Sequence, residues 1–149
     1  MGDGQEQRST EPAPLPAALI PEQDRSWAML AHLSILAGVV LPPIGGPLGP
    51  LVVKLTKGKE SRAVDVEATE ALNFGITLCL AQIAAGLLAG LGFGRFNLLA
   101  SLPTLVGLAA FVFALMAAMQ VRGGRPYRYP YTLRLLPEPA GPPTGPTGV

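Results

Sequence analysis

Two long apolar runs without a charged side chain constrain this sequence more than any other feature. Residues 71–91 and 101–121 contain no Asp, Glu, Lys or Arg. At ~1.5 Å of rise per residue, a helix over either run is about as long as the ~30 Å hydrocarbon core of a bilayer. Only 14% of all residues are charged, against about a quarter in soluble domains. The sequence therefore predicts an all-α fold, an integral membrane helical bundle.

Helix-end signals set the expected limits of these two helices. Glu67 and Glu70 suit the opening turns of a helix, because carboxylates stabilise the positive end of the helix dipole. This helix is expected over about residues 66–91. Ser101 can act as the N-cap of the next helix, and the proline two residues later is tolerated in a first turn. That helix is expected over about residues 102–121.

A further apolar stretch, residues 27–55, precedes these helices and is interrupted. Its centre reads L-P-P-I-G-G-P-L-G-P over residues 41–50, where four prolines remove backbone donors and three glycines loosen the chain. Two short helices, near residues 25–40 and 47–56, are expected instead of one straight span. The break between them should be covered by protein, because lipid cannot satisfy the freed backbone groups.

The composition changes on both sides of residues 25–136, which form the predicted transmembrane domain. Residues 1–24 are rich in Gly, Gln, Glu and Pro, and residues 137–149 are rich in Pro and Gly. Neither composition buries enough apolar surface to offset the entropy of ordering the chain. Both tails are therefore predicted to be disordered.

The placement of Lys and Arg predicts the orientation, because cytoplasmic flanks carry an excess of these residues. Two paths of the first stretch stay open. If it crosses once, three positive residues lie on one side and eight on the other. If it dips in and returns, only Arg95 faces outward and ten lie inside. Both paths place residues 54–70 and the C-terminus in the cytoplasm of a multi-pass protein, expected in a bacterial inner membrane.

Four short motifs occur in a fixed order within residues 24–136. They are W-A-M-L-A-H-L-S at 27–34, G-P-L-V-V-K-L at 49–55, E-A-L-N-F at 70–74 and P-Y-R-Y-P at 126–130. Together they resemble an uncharacterised family of small bacterial membrane proteins, a domain of unknown function with a proposed distant similarity to the Tic-twenty component of the chloroplast inner-envelope translocon. The resemblance implies a multi-span helical membrane protein and no particular activity.

Three positions depart from the pattern of that family. Lys54 stands where the family usually shows a Trp, Glu67 where a His is common, and Gly75 where a Gln is frequent. These departures speak against a polar relay built on those positions, and they leave the implied fold unchanged.

His32 is the single histidine and lies in the first predicted helix. At membrane depth it is a candidate for a titrating group, or for a pair with a polar residue across the bundle. The favoured alternative is that it lies near the interface or donates one structural hydrogen bond. No second imidazole is present and Cys79 is the single cysteine, so no metal site and no other cofactor is predicted.

Glu70, Asn73 and Thr77 share one face of the second long helix by their i, i+3 and i+7 spacing. As a functional site, this stripe would face His32 or the unwound backbone around residues 42–49 and line a solvated vestibule. The favoured alternative is adhesion between helices, worth about 1 kcal/mol or less per hydrogen bond.

A row of small residues follows on the same helix. Gly86, Gly90 and Gly94 are spaced four apart, and the next helix carries a matching alanine row between residues 110 and 118. Small residues at this spacing let two helices approach closely. Packing between these helices within one chain is favoured because their connection is short, while packing between two chains stays open.

Arginines and tyrosines alternate directly after the last apolar run, in R-G-G-R-P-Y-R-Y-P-Y-T-L-R at residues 122–134. Such a mixture can bind single-stranded nucleic acid. Next to a membrane span, however, Arg near an anionic leaflet contributes about 1 kcal/mol each and Tyr belongs at the headgroup level. No nucleic-acid partner is therefore predicted. The predicted interface anchors are Trp27, Arg125, Tyr127, Arg128 and Tyr129.

The sequence carries no motif for catalysis, since it lacks G-x-S-x-G, a Walker-type phosphate loop and H-E-x-x-H. The leading interpretation is a non-enzymatic structural or accessory subunit of a membrane complex. Its partners would be the lipid bilayer and other membrane proteins or a second copy of itself. The alternative is an oligomeric channel or translocation component, motivated by the broken first segment and the polar stripe.

Overall fold

The computed structural model describes residues 19–90 and 98–139, and this part of the chain folds into helices without a strand. The helices are α1 (Glu22–Leu33), α2 (Ala37–Val40), α3 (Gly45–Thr56), α4 (Arg62–Gly90) and α5 (Leu102–Arg122), with 3-10 turns at Ser34–Leu36 and Leu98–Ser101. The predicted all-α fold is confirmed. Most of both predicted tails, and Gly94, lie outside the described residues.

The interrupted first segment is a helical hairpin. α1 starts directly after Pro21 with two acidic residues in its first turn, where they favour the helix dipole. Helical backbone then continues through a 3-10 turn to Val40, and α3 begins at Gly45. Between the two arms, Pro42 and Pro43 have no backbone N–H to donate, and a cis peptide bond joins them. The predicted break in this segment is confirmed.

A close backbone approach brings the start of α3 against α4. A Cβ atom added to Gly75 would lie 2.7 Å from the carbonyl oxygen of Gly46 and 2.9 Å from the Cα atom of Pro47. Only a hydrogen side chain permits two backbones to approach this closely. The break itself stays largely exposed, since Leu41 is 55% and Ile44 is 59% exposed. The prediction that protein covers the break is therefore wrong, because only the helical residues after the break pack on α4.

Both arms of the hairpin end at the same end of the bundle. Ser61, just before α4, donates from its hydroxyl to Asp24 Oδ2 at 2.7 Å. Ile20 N, just before α1, donates to the carbonyl oxygen of Gly124, just after α5, at 2.8 Å. The start of α1, the start of α4 and the end of α5 therefore lie together at one end of the bundle.

α4 and α5 are each long and apolar enough to cross a membrane. The two apolar spans are Arg62–Gly90 and Leu99–Arg122, and the second includes most of the 3-10 turn before α5. α4 begins at Arg62 rather than near residue 66 because the Ser61 hydroxyl accepts a hydrogen bond from Val64 N at 3.4 Å and starts the helix earlier. Ser101 is the N-cap residue of α5, as predicted, but its side chain makes no capping hydrogen bond, because its backbone is helical and continues the preceding 3-10 turn into α5.

Charge is segregated along the bundle. Every charged residue that the structure describes falls between residues 22 and 25, between 54 and 70, or from Arg122 onward. These three segments meet through the contacts just described, so they form one charged end. The distal parts of α4 and α5 carry no charge, which is the distribution expected for helices that enter lipid.

The alanine face of α5 packs on α1 and on the first half of α4 rather than on the glycine row. Ala110, Ala114 and Ala117 are buried, and α5 contacts both α1 and α4. A Cβ atom added to Gly86 or Gly90 would meet nothing within 4 Å. The favoured prediction that these glycines pack against α5 within one chain is therefore wrong, because α1 already occupies the small-residue face of α5.

Candidate functional site

The residues that follow α5 lie on the polar face of α4. We call residues 125–136 the strap. It has no regular helix or strand, and its backbone needs partners from elsewhere in the fold. The polar face of α4 supplies them through Glu67, Glu70, Asn73 and Thr77, which lie on one side of the helix by their spacing.

Four side chains of α4 bind backbone groups of the strap. Glu67 Oε2 accepts from Tyr127 N at 3.3 Å, and Glu70 Oε1 accepts from Tyr129 N at 2.8 Å. Thr77 Oγ1 accepts from Leu133 N at 3.0 Å. Asn73 makes two bonds to Leu136, accepting from its N–H at 2.9 Å and donating to its carbonyl oxygen at 3.0 Å. The helix therefore gives the strap the hydrogen bonds that a neighbouring strand would give in a sheet.

The partner of the predicted polar stripe differs from the one that the sequence predicts. The sequence predicts that Glu70, Asn73 and Thr77 face His32 or the break in the first segment, whereas the structure places the strap on them. The irregular strap offers several unpaired backbone N–H groups to this face. Carboxylate, amide and hydroxyl oxygens can each accept a hydrogen bond from such a group.

His32 joins the strap to both α1 and α4. Its side chain is fully buried, with Nε2 3.0 Å from Glu67 Oε2 and Nδ1 3.0 Å from the hydroxyl oxygen of Tyr129. Burial, and then the negative charges nearby, raise the pKa of Tyr129, so this phenol stays protonated and has a proton to donate. We assign the tautomer accordingly: Nδ1 accepts from Tyr129, and Nε2–H donates to Glu67.

Aromatic packing surrounds this hydrogen-bonded pair. The Tyr129 ring stacks on Phe74 with centroids 3.9 Å apart and planes at 2°, and it lies 5.5 Å from the His32 ring. Tyr127 meets Tyr129 edge-on at 4.9 Å. These contacts exclude water from the histidine and fix the strap at its first half.

Glu70 is the electrostatic centre of the strap. Its side chain is 2% exposed and lies 3.1 Å from Arg128 Nη1 and 3.7 Å from Arg134 Nη2. Arg128 also pairs with Glu138 beyond the strap at 2.5 Å. Partial burial lowers the pKa of Arg128, but its hydrogen bonds to Glu138 and Glu70 outweigh that effect and raise it. The buried carboxylate is therefore compensated by two arginines of the segment that it binds.

The predicted interface anchors separate into two groups. Trp27 is 40% exposed with Lys57 Nζ 5.2 Å from its ring centroid, and Arg125 is exposed. Tyr127 and Tyr129, by contrast, are 7% and 3% exposed and pack inside the protein rather than at a headgroup-facing surface. A ring inserted between α1 and α4 buries its apolar body and still satisfies its hydroxyl, which explains the inward position.

Glu67 is the functional residue that sequence reasoning missed. It is 2% exposed and binds both His32 and the strap, although the sequence-based interpretation assigns it to the helix dipole and counts it against a polar relay. The available signal was its spacing: Glu67 precedes Glu70 by three residues and therefore extends the polar stripe by one turn.

A second polar contact fixes the turn between α3 and α4. Lys54 Nζ donates to Asp65 Oδ1 at 2.5 Å and to Thr69 Oγ1 at 2.6 Å. Its side chain is 25% exposed, so the ion pair is partly screened and mainly orients the two helices.

We call the polar side chains that hold the strap, those of His32, Glu67, Glu70, Asn73 and Thr77, the clamp. Within residues 19–90 and 98–139 no group of three or more His, Cys, Asp or Glu side chains is arranged to hold a metal ion. The acidic, amide and hydroxyl groups instead contact His32, two arginines and backbone N–H groups of the strap. This arrangement holds the strap, which follows α5, against the polar face of α4.

Residues 23–136 match a known family, described as the magnetosome magnetite crystal formation protein family MamF/MmsF. The chain belongs to this family. The match spans the hairpin, both long helices and the strap, so the clamp lies wholly inside the MamF/MmsF region. None of the curated proteins matches the chain, and none of the solved structures does.

Membership in the MamF/MmsF family agrees with the resemblance to small bacterial membrane proteins. The more distant similarity to the chloroplast translocon component stays a prediction. The family description names a process, magnetite crystal formation, and names no reaction.

Proposed function

We propose that this protein is a non-enzymatic membrane protein that assists magnetite crystal formation as a structural or accessory component of a membrane assembly. The family match carries this proposal, because it covers residues 23–136 and therefore nearly all of the helical part of the chain. The family description supplies the process, magnetite crystal formation, and the fold supports a structural or accessory role in it.

The clamp supports a structural role rather than a catalytic one. Its buried polar groups contact one another and the strap backbone: His32 lies between Glu67 and Tyr129, and Glu70 lies between two arginines and a backbone N–H. A group that acts on a substrate must be able to reach it, whereas a fully satisfied buried network rigidifies the fold around it. The clamp therefore serves to present a fixed surface at the charged end.

The distribution of charge supports a membrane position for the apolar halves of α4 and α5. In this arrangement the charged end faces the cytoplasm, because nine of the Lys and Arg residues lie in segments that meet there. The returning hairpin then puts the start of α1 on the same side of the membrane as the end of α5. In this arrangement the hairpin is a re-entrant element, and α4 and α5 are the two helices that cross the membrane.

The alternative function, an oligomeric channel, was motivated by the broken first segment and by the polar stripe. The stripe does not line a vestibule in the described structure, because the chain's own strap covers it. The broken segment alone does not favour a channel over an accessory protein.

Deleting the gene in the magnetite-forming bacterium that encodes this protein tests the proposal. Electron microscopy of the deletion strain should show magnetite crystals of altered size or number, and the protein should co-sediment with membranes that resist alkaline extraction. Complementation with the native chain should restore the crystals, whereas a chain truncated before the strap should not. Unchanged crystals in the deletion strain, or release of the protein by alkali, contradict the proposal.

A further inference from the structure

The outer surface of the strap carries large apolar side chains that contact little else in the structure. Tyr131 is 95% exposed, Leu133 is 49% exposed and Leu135 is 59% exposed. Tyr131 lies at the turn of the strap, where its φ of 59° is a left-handed backbone conformation. We call residues 130–135 the strap tip.

The strap tip lies beside the charge-free part of α4. Leu133 N donates to Thr77 Oγ1 at 3.0 Å. Thr77 lies six residues beyond Ala71, where the uncharged run begins, which corresponds to roughly 9 Å along the helix axis. The tip is therefore level with the portion of α4 that the uncharged run assigns to lipid.

The backbone of the strap is prepared for such a position. The N–H of Leu133 binds Thr77, that of Leu135 binds the carbonyl oxygen of Leu133 at 3.1 Å, and that of Leu136 binds Asn73. Irregular backbone survives at membrane depth only where protein groups satisfy it. Two of these donors, Leu133 and Leu135, belong to the tip itself.

Positive charge lies next to the tip and also within it, where the Arg134 guanidinium extends back to Glu70, 3.7 Å away. Residues 122–139 contain four arginines and one acidic residue, Glu138. Arg122 and Arg125 are exposed, and the two strap arginines are about half exposed, 42% and 54%. Arginine near the phosphates and apolar side chains just below them is the arrangement of an interfacial anchor.

From these observations we propose that the strap tip inserts into the lipid leaflet at the charged end of the bundle. Tyr131, Leu133 and Leu135 lie at the boundary of headgroups and acyl chains, and the arginines lie at the level of the phosphates. The inference rests on the membrane position given under Proposed function and adds a contact with the bilayer by a segment outside both the crossing helices and the re-entrant hairpin.

Fluorescence quenching by lipid tests the proposal on the full-length chain. Trp27 is first replaced by Phe, and a reporter is introduced as Tyr131→Trp, which preserves an aromatic residue at an exposed position. Lys59→Trp, in the exposed turn before α4, serves as the aqueous control. Leu87 is 68% exposed and lies in the uncharged part of α4, so Leu87→Trp serves as the bilayer control. Each protein is reconstituted into vesicles of phosphatidylcholine and phosphatidylglycerol with brominated acyl chains.

We expect bromine near the headgroup end of the acyl chain to quench Tyr131→Trp several-fold more strongly than Lys59→Trp. Acrylamide in the buffer should show the opposite order. If Leu87→Trp is quenched and Tyr131→Trp behaves like Lys59→Trp, the tip lies in water and the proposal is overturned while the membrane position stands. If Leu87→Trp also escapes quenching, both fail. Leu135→Trp provides an independent reporter at the tip, with the same expected results.

Discussion

Replacing Glu70 with Gln removes one buried charge and leaves the shape of the side chain unchanged. Glutamine can still accept the N–H of Tyr129, but its NH2 group cannot accept from Arg128, and it turns a charge-assisted bond into a neutral one. Hydrogen bonds to charged groups contribute ~1.5–3 kcal/mol and neutral ones about 1 kcal/mol. The arginine partners are 42% and 54% exposed, so after screening they add at most about 1 kcal/mol.

Glu70→Gln should therefore weaken strap docking by about 2 kcal/mol, roughly a 30-fold change in the ratio of docked to undocked strap. Hydrogen exchange followed by mass spectrometry in detergent or nanodiscs measures this directly. Peptides that cover residues 125–136 should exchange faster by about that factor, because the N–H groups of Tyr127 and Tyr129 lose protection together. Exchange in α5 should change little.

Glu60→Gln is the matched control, since Glu60 is 65% exposed and pairs with Lys57 over three residues. The same chemical change there should leave strap exchange at the native rate. If Glu70→Gln also leaves the strap at the native rate, the carboxylate does not hold it and the reasoning is refuted. Faster exchange throughout α1, α4 and α5 would likewise refute it, because the effect would then be global unfolding.

Other substitutions test the rest of the fold through thermal unfolding in detergent. His32→Leu leaves a buried carboxylate and a phenol without their partner and should destabilise the protein by about 3 kcal/mol; a loss below about 1 kcal/mol contradicts the network. Gly75→Ala should destabilise strongly, because its Cβ atom would lie 2.7 Å from the Gly46 carbonyl oxygen, whereas Gly86→Ala meets open space and should be neutral or stabilising by up to about 1 kcal/mol. Equal effects of the two alanines would contradict the close approach. Thr132→Val should stabilise by about 1 kcal/mol, because the Thr132 hydroxyl is buried without a hydrogen-bond partner in the described structure. A destabilised valine variant would show that this hydroxyl has a partner.

Local chemistry explains what the sequence predicted well. The absence of charge over residues 71–91 and 101–121 marks two membrane-length helices; the structure describes α4 as helical as far as Gly90 and ends α5 at Arg122. The prolines and glycines of residues 41–50 mark the break, because they act on their own backbone whatever surrounds them. The start of α4 was predicted about four residues too late, because the expected bounds did not include the bond from Val64 N to the Ser61 hydroxyl.

Contacts between distant segments explain what the sequence could not predict. The bond from His32 to Glu67 joins residues 35 apart, and the bond from His32 to Tyr129 joins residues 97 apart. Periodicity shows that a face of α4 is polar, but it does not show which segment covers that face. The same holds for Gly86: its spacing permits close packing, but only the position of α1 decides that α5 does not pack there.

Disulfide trapping in native membranes tests the docking of the strap on α4 most directly. In a chain with Cys79→Ser, the pair Thr77→Cys and Leu133→Cys should form a disulfide on mild oxidation, because Thr77 Oγ1 lies 3.0 Å from Leu133 N. The pair Gly86→Cys and Leu133→Cys should stay reduced, since Gly86 lies nine residues, roughly 13 Å, further along the helix. Failure of the first pair to link, or equal linking of both pairs, would contradict a strap fixed on the polar face of α4.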